Sequence, residues 1–577
     1  LERPGTIEHL AARQSRAALD ASTPEIKQQL AVLRTEITRL LTGLRWQGDS
    51  VEETAEQIIP LLNLGPVQQW KLVLLPFLRE IDRAGNMIPV WLKIIERGDM
   101  LDLPADTNPA ETVVGRARRF AILMLGYYKT SIVEEDKLLG FSKHSPGRSS
   151  RGIDITGILG KLAIDPNTSL YAVDALLRQG TNTALATLIS ALKDAEGWAR
   201  VDLVEGCLKL ERDDLYDLLI ASGLDRVSGL EHSVAIPIYH KIPLENYLRG
   251  QGNRSGLMQQ AALIFSQILQ ESMKPPIGES KNLPTVFEHN LPTVAKALFE
   301  GARQRPLWQN TIALHQLGLL LGHYWRSITR GELKETRILE QIYPCLPMMN
   351  DVERWMMGPG RDALLAALLD EDEEGLQASS KVLGELRETR AIMPLLQHIE
   401  RTQELTSVAQ ALTLEVLCDT LVLLGERRAI TPLLQFLHHV VDINKRAKNP
   451  ERRDNLSTGD ADIPGSIVYA AIVRACGELG ERDALDDVLR AMKDCDPYVR
   501  IQAIEAIKRL DPRGEDLNCR TLVREALNDP CEQNVRATCQ LILQYRDTDA
   551  LPLLRQIIDK RPALAPIAYD TLHRLEQ

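Results

Sequence analysis

The chain has 577 residues and a mass of 64.6 kDa, enough for about four domains of ~150 residues unless it is a repeat array. With 44% hydrophobic and 25% charged residues it is neither disordered nor collagen-like, and 5% aromatics, with seven Phe, is thin for a sheet-rich chain. A net charge of −11 and a pI near 5.6 repel the whole molecule from nucleic acid and anionic membrane, so a polyanion site would have to be a local basic patch.

Residues 1–150 read as an N-terminal helical region. The run Thr23 to Leu44 places Leu30, Leu33, Ile37, Leu40 and Leu44 on one stripe, and Val67 to Ile81 does the same with Trp70, Leu74, Phe77 and Ile81. Residues 115–152 break the acidic background with Arg116, Arg118, Arg119, Lys129, Lys137, Lys143, Arg148 and Arg151, against only Glu134, Glu135 and Asp136. Phe120, Tyr127, Tyr128 and Phe141 are interleaved, and Phe141 to Gly152 is a Gly/Ser/Pro loop. Cations on phosphates with aromatics for stacking form the pattern of nucleic-acid contact. The other reading is a solvated helix face followed by a loop.

Residues 151–357 form a central helical region. Gly157-Ile-Leu-Gly160-Lys161-Leu162 only imitates a phosphate loop, because Ile155 stands where the first Gly belongs and Leu162 where Ser or Thr belongs. Gly147-Arg-Ser149 lacks the strand a nucleophile elbow needs. The stretch Ser169 to Leu219 carries two similar turns about 31 residues apart. Met348, Met349, Trp355, Met356 and Met357 cluster near the boundary at Gly358, either filling gaps between repeat blocks or offering an adaptable partner surface.

Residues 358–577 show the clearest period. Asp370 to Gly375 opens like a calcium loop, but position twelve is Lys381, so an acidic helix N-terminus is expected. Segments beginning at Val382, Leu421, Ala475 and Ile542 each end one helix, turn at Gly or a charged residue, and start a second helix. Aligned on Ala391, Ala429, Ala484, Leu517 and Ala550, the spacings are 38, 55, 33 and 33. The long spacing contains a polar insertion at 442–464, with Lys445, Arg446, Lys448, Arg452 and Arg453 as a second candidate polyanion site. Nearby Asp442, Asp454, Asp460 and Asp462 offset that charge, which suits a polar loop instead. Pro394, Pro432 and Pro552 fall in first turns, where a missing N–H is harmless.

The first helix of the unit is clearest at Asp496-Pro-Tyr-Val499-Arg500-Ile-Gln-Ala503-Ile-Glu-Ala506-Ile507. It resembles the HEAT repeat, in the short Asp-x-x-Val-Arg-x-x-Ala form first described in bilin lyases, over Ala367 to Gln577. The resemblance implies an all-α fold of helical hairpins stacked into a curved solenoid. It also implies that Arg500 and Arg536 pair structurally with acids, read here as Asp496 and Asp529. Earlier residues are assigned to the same superhelix as degenerate repeats. Among enzymes of this fold, the His-Glu pairs of the deoxyhypusine hydroxylase type have no counterpart, since Glu8-His9, Glu231-His232 and Glu288-His289 are reversed and out of register. His315, His323, His438 and His439 read as core or helix-end residues.

No catalytic residue, metal site or cofactor is assigned. The eight cysteines lack C-x-x-C spacing, which points to free thiols and a reducing compartment, the cytoplasm. No apolar stretch is long enough for membrane insertion. The chain opens at Leu1 rather than Met, which leaves room for a preceding leader or domain. The expected function is a non-catalytic scaffold holding a protein partner on its concave face, through second-helix residues such as Thr431, Gln435, Asp487 and Arg490. The alternatives are a nucleic-acid-binding solenoid using 115–152, and the sensor or substrate-binding arm of a larger enzyme.

Overall fold

A computed structural model describes residues 24–46, 50–63, 67–83, 85–97, 115–128, 153–250, 252–273, 284–333, 335–370, 372–441 and 463–577. Every regular element among them is a helix. The chain divides into two compact units, Leu1–Ala297 with Thr336–Gln341, and Leu298–Glu335 with Ile342–Gln577.

In the first unit, the two runs read from periodicity are helices Pro24–Trp46 and Val67–Ile81. Leu33, Ile37 and Leu40 of the first, and Leu74, Leu75 and Leu78 of the second, are buried. Helix Ile155–Leu162 occupies the false phosphate loop, with Asp154 capping it by accepting from the Gly157 N–H. The helices behind it come as close as backbone allows: a Cβ on Gly126 would lie 2.6 Å from the Ala175 Cα.

The second unit repeats one hairpin. First helices Glu373–Glu385, Val408–Leu424, Ile463–Leu479, Pro497–Leu510 and Glu532–Tyr545 pack against one another along their length. Small residues permit this, for a Cβ on Gly477 would lie 2.6 Å from the Ala506 Cα. Second helices Ile392–Arg401, Ile430–Phe436, Leu485–Ala491, Leu517–Glu525 and Leu551–Lys560 follow. Asp372 caps the first of these hairpins, as expected of an acidic N-terminus.

Four of the five turns share one chemistry. Arg387, Gly425, Gly480 and Arg546 take positive φ of 52°, 69°, 74° and 51°. An acid follows each, and the carboxylates of Glu388, Glu426 and Asp547 accept the N–H two residues on, at 3.1, 2.9 and 3.2 Å. A short 3₁₀ turn then buries Ala391, Ala429, Ala484 and Ala550 completely. Leu517 breaks the register: it is 79% exposed and is the first residue of a helix capped by Asp516. The alignment fails there because Asp511 organises a longer turn instead, accepting from the Glu515 and Asp516 N–H groups.

The expected pairings of the repeat arginines need correction. Arg500 is fully buried and reaches across to Asp529 of the next hairpin, with Nε–Oδ2 and Nη2–Oδ1 distances of 2.6 and 2.8 Å. Asp496 instead caps its own helix, accepting from the Tyr498 N–H. With Asp529 so engaged, Arg536 is left near Glu532 at 3.9 Å and donates to the Ala563 carbonyl. All the cysteines are free, and all but Cys531 are buried. Burial pushes the Cys207 and Cys345 thiols up to about 11, which suits small hydrophobes rather than nucleophiles.

Candidate functional site

Of the second-helix residues singled out from sequence, Thr431 and Gln435 lie on one helix of the second unit and Asp487 and Arg490 on the next second helix. Helix Ile430–Phe436 buries Ile430, Leu433 and Phe436, which turns Thr431 and Gln435 to solvent. A wider turn, Leu437–Val441, continues it, and His439 Nδ1 donates back to the Gln435 carbonyl at 2.8 Å. Helix Leu485–Ala491 buries Val488 and Leu489 and exposes Arg490.

Asp487 is different from its three companions. Its side chain is largely covered, and it meets His438 Nε2 at 3.1 Å and Arg490 Nη1 at 3.2 Å. It therefore ties the second helices of consecutive hairpins together, and Thr431, Gln435 and Arg490 flank that tie. The preceding second helix, Ile392–Arg401, adds exposed Met393, Gln397, Glu400 and Arg401 above buried Leu395, Leu396 and Ile399. The face is polar and of mixed charge, with one exposed methionine.

Two arginines of the first helices are engaged within the fold. Arg474 donates to Glu415 at 3.1 Å and to Asp419 at 2.7 Å, and Arg509 meets Glu478 at 3.3 Å. The methionine–tryptophan cluster divides: Trp355 and Met356 are buried, and Met357 is exposed.

In the first unit the basic segment is only partly exposed. Helix Arg116–Leu125 buries Arg119, which donates to the Asn167 carbonyl and lies 5.8 Å from the Tyr171 ring centroid. Arg116 donates to the Asn63 carbonyl at 3.4 Å, and Arg116 and Arg118 are half-buried. Arg119 thus belongs to the interior rather than to a solvated face. Lys129, Lys143, Arg148 and Arg151, with Lys137, lie outside the described residues, as do Lys445, Arg446, Lys448, Arg452 and Arg453.

The histidines form two-group contacts: His240 with Glu288 at 2.8 Å and His315 with Glu385 at 2.8 Å. Among the described residues no group of three or more His, Cys, Asp or Glu is placed to hold a metal ion. None of the described helices is long and apolar enough to cross a membrane. Sequence reasoning passed over Arg200, whose position in Asp194-Ala-Glu-Gly-Trp-Ala-Arg200 matches Arg500 in Asp494-Cys-Asp-Pro-Tyr-Val-Arg500. The shared six-residue spacing from Asp to Arg was the available signal.

Comparison with curated proteins gives no match. The solved structure of UNC-45 from Drosophila melanogaster aligns over 96% of this chain and 82% of its own, at 14% identity and a TM-score of 0.23, too low a likeness to bear on function. A family model described as HEAT repeats matches residues 464–518, the segment that holds the Asp496–Arg500 motif and its neighbouring hairpin. That match, and the helical hairpin repeated through the second unit, show HEAT-type repeats there, and every regular element among the described residues is a helix.

Proposed function

We propose that this protein is a non-catalytic scaffold whose second-helix face, around Thr431, Gln435, Asp487 and Arg490, holds a protein partner. One observation carries the reading. Consecutive second helices bury one apolar stripe each and present the opposite stripe to solvent at repeating positions, an extended surface rather than a pocket. The Asp487–His438 contact holds neighbouring helices in register, so the surface is preorganised. Exposed Met393 supplies an adaptable apolar contact within a polar field. The mixed charge favours a partner that is itself mixed, over the uniformly basic one that acids alone would select.

The test is a triple variant, Thr431→Lys, Gln435→Glu and Arg490→Glu, all at exposed positions. Co-purification of the partner is expected to be lost while helicity by circular dichroism is unchanged. An intact complex in the folded variant contradicts the assignment. The nucleic-acid reading, with Arg119 in the interior, rests on half-buried Arg116 and Arg118 and on cations outside the described residues.

A further inference from the structure

We propose that helix Trp308–Thr329 of the second unit is the docking face for a second copy of this chain, the two helices running antiparallel about a two-fold axis at Gly322. The helix has 22 residues, and from Trp308 to Leu314 it is buried on every side. Beyond that point only Leu317, Leu320, Leu321 and Tyr324 are buried. The helix packs against Arg361–Ala367 and Glu373–Glu385. Its other stripe is left to solvent, with Leu319 46% and Trp325 41% exposed.

That stripe has the spacing of a helix–helix seam. His315, Gly318, Gly322, Trp325 and Thr329 follow one another at intervals of 3, 4, 3 and 4, which keeps them on one line facing a partner helix. A Cβ added at Gly318 or Gly322 would meet nothing within 4 Å, so no group of this chain fills the space in the middle of the seam. Each glycine costs a helix interior about 1 kcal/mol relative to alanine. Two of them at successive seam positions suit the close approach of another backbone.

The occupant follows from the stripe being complementary to itself. In an antiparallel pair centred on Gly322, Leu319 of each copy meets Trp325 of the other, Arg326 passes over Gly318, and Arg330 reaches the level of His315. Arg326 donates its Nε–H to the Gly322 carbonyl at 3.2 Å, and neither it nor Arg330, both exposed, has an acid partner among the described residues. Glu385 stands beside His315, its carboxylate 2.8 Å from Nε2, and that hydrogen bond holds its pKa below the usual value, with Lys381 assisting. The seam thus has an arginine end and a carboxylate end, which antiparallel pairing brings together twice. A parallel pair would set Arg326 against Arg326 and leave Glu385 without its arginine. About four turns per copy fall short of the ~800 Å2 per partner of a standard interface, so the dimer is weak and forms as concentration rises.

The experiment is sedimentation equilibrium of the full chain over a range of concentrations. The mass is expected to rise from 64.6 kDa towards twice that value. Leu319→Asp with Trp325→Ser, both at exposed positions, should raise the dimer dissociation constant at least tenfold with helicity unchanged. The Thr431→Lys/Gln435→Glu/Arg490→Glu variant should leave it within twofold, which separates this face from the second-helix face. Cysteine crosslinking in a Cys531→Ser background reads the register. Gly322→Cys is expected to crosslink to itself, whereas Leu319→Cys should crosslink only when mixed with Trp325→Cys. Glu385→Arg should weaken the dimer several-fold, and adding Arg330→Glu should restore it. A chain that stays monomeric, a dimer that survives in the folded Leu319→Asp/Trp325→Ser variant, a Leu319→Cys chain that crosslinks to itself, or a charge exchange that restores nothing overturns the proposal. So does a different protein found on this helix, in place of a second copy, when the chain is purified from its own cells.

Discussion

Arg200 in the first unit and Arg500 in the second occupy the same point of the same local sequence pattern, and each is buried at the start of a first helix. Both direct Nη1 at backbone carbonyls just upstream: Leu192 and Ala195 for Arg200, Asp494 and Cys495 for Arg500. Their other ends differ. Arg500 finds the buried carboxylate of Asp529 on the next hairpin, and Asp529 also receives the Cys531 N–H and sits beside Asn534 Nδ2. Arg200 finds the Ser222 carbonyl and, at 3.7 Å, the exposed Asp225. Burial correspondingly pulls the Arg200 pKa down. One motif therefore makes two kinds of joint, an ionic bridge between hairpins in one unit and a backbone clasp in the other.

The sharpest break of this comparison is neutral replacement of the two arginines. Arg500→Met leaves Asp529 buried with no countercharge and should cost about 3–5 kcal/mol. Arg200→Met removes donors from backbone carbonyls and a 3.7 Å contact with the exposed Asp225, and should cost about 1–3 kcal/mol. Hydrogen exchange followed by mass spectrometry, read separately on peptides 494–510 and 194–208, measures each locally. Equal losses at the two sites would erase the distinction.

Close packing supplies the next effect, and here the units are alike. Gly126 against Ala175 and Gly477 against Ala506 meet at the same 2.6 Å for an added Cβ. Alanine at either glycine forces neighbouring helices apart and should destabilise its unit by about 1–3 kcal/mol, checked by urea denaturation with local exchange as the readout.

Acid separates the units again. Glu388 is held down at about 2 by hydrogen bonds from Arg390, with Arg361 assisting, against an ordinary value of 4.5. A depressed carboxyl stabilises the fold fully above about pH 4.5, and that contribution disappears as pH falls through about 2. The turn Arg387–Ala391 should therefore loosen between those values. The Gly180–Thr181 turn of the first unit, capped by a hydroxyl, should not follow it. Exchange at pH 3 checks both, and Glu388→Gln should remove the pH dependence of the first.

The smallest effect is a gain. Arg387 and Arg546 hold the left-handed conformation that Gly425 and Gly480 adopt freely. Arg387→Gly and Arg546→Gly should each stabilise the second unit by up to about 1 kcal/mol, whereas Gly425→Ala should cost about the same. Thermal melts of the three variants order them.

Much of this architecture was legible because helix period and turn chemistry are local. Helix Val67–Ile81 follows from four apolar positions, and the hairpin from an αL residue, an acid and a buried alanine. What failed was non-local. Asp496 and Asp529 carry the same residue type, and only the stacking of hairpins decides that one caps a helix and the other meets Arg500. Leu517 matches the period by spacing yet lies outside, because Asp511 lengthens that turn. Arg119 reads as surface by its charge, but the helix that carries it is buried nearly all round. Thr431, Gln435 and Arg490 were legible as exposed positions of short amphipathic helices, while the engagement of Asp487 by His438 was not, since 48 residues separate them.

The scaffold reading is tested most directly by native mass spectrometry of the chain purified from its own cells at low salt, paired with hydrogen exchange of the complex and the free protein. The account predicts a stoichiometric protein adduct with new protection on residues 430–441 and 485–491, both lost in the Thr431→Lys/Gln435→Glu/Arg490→Glu variant. An adduct that persists in that variant, or that protects neither segment, would contradict it.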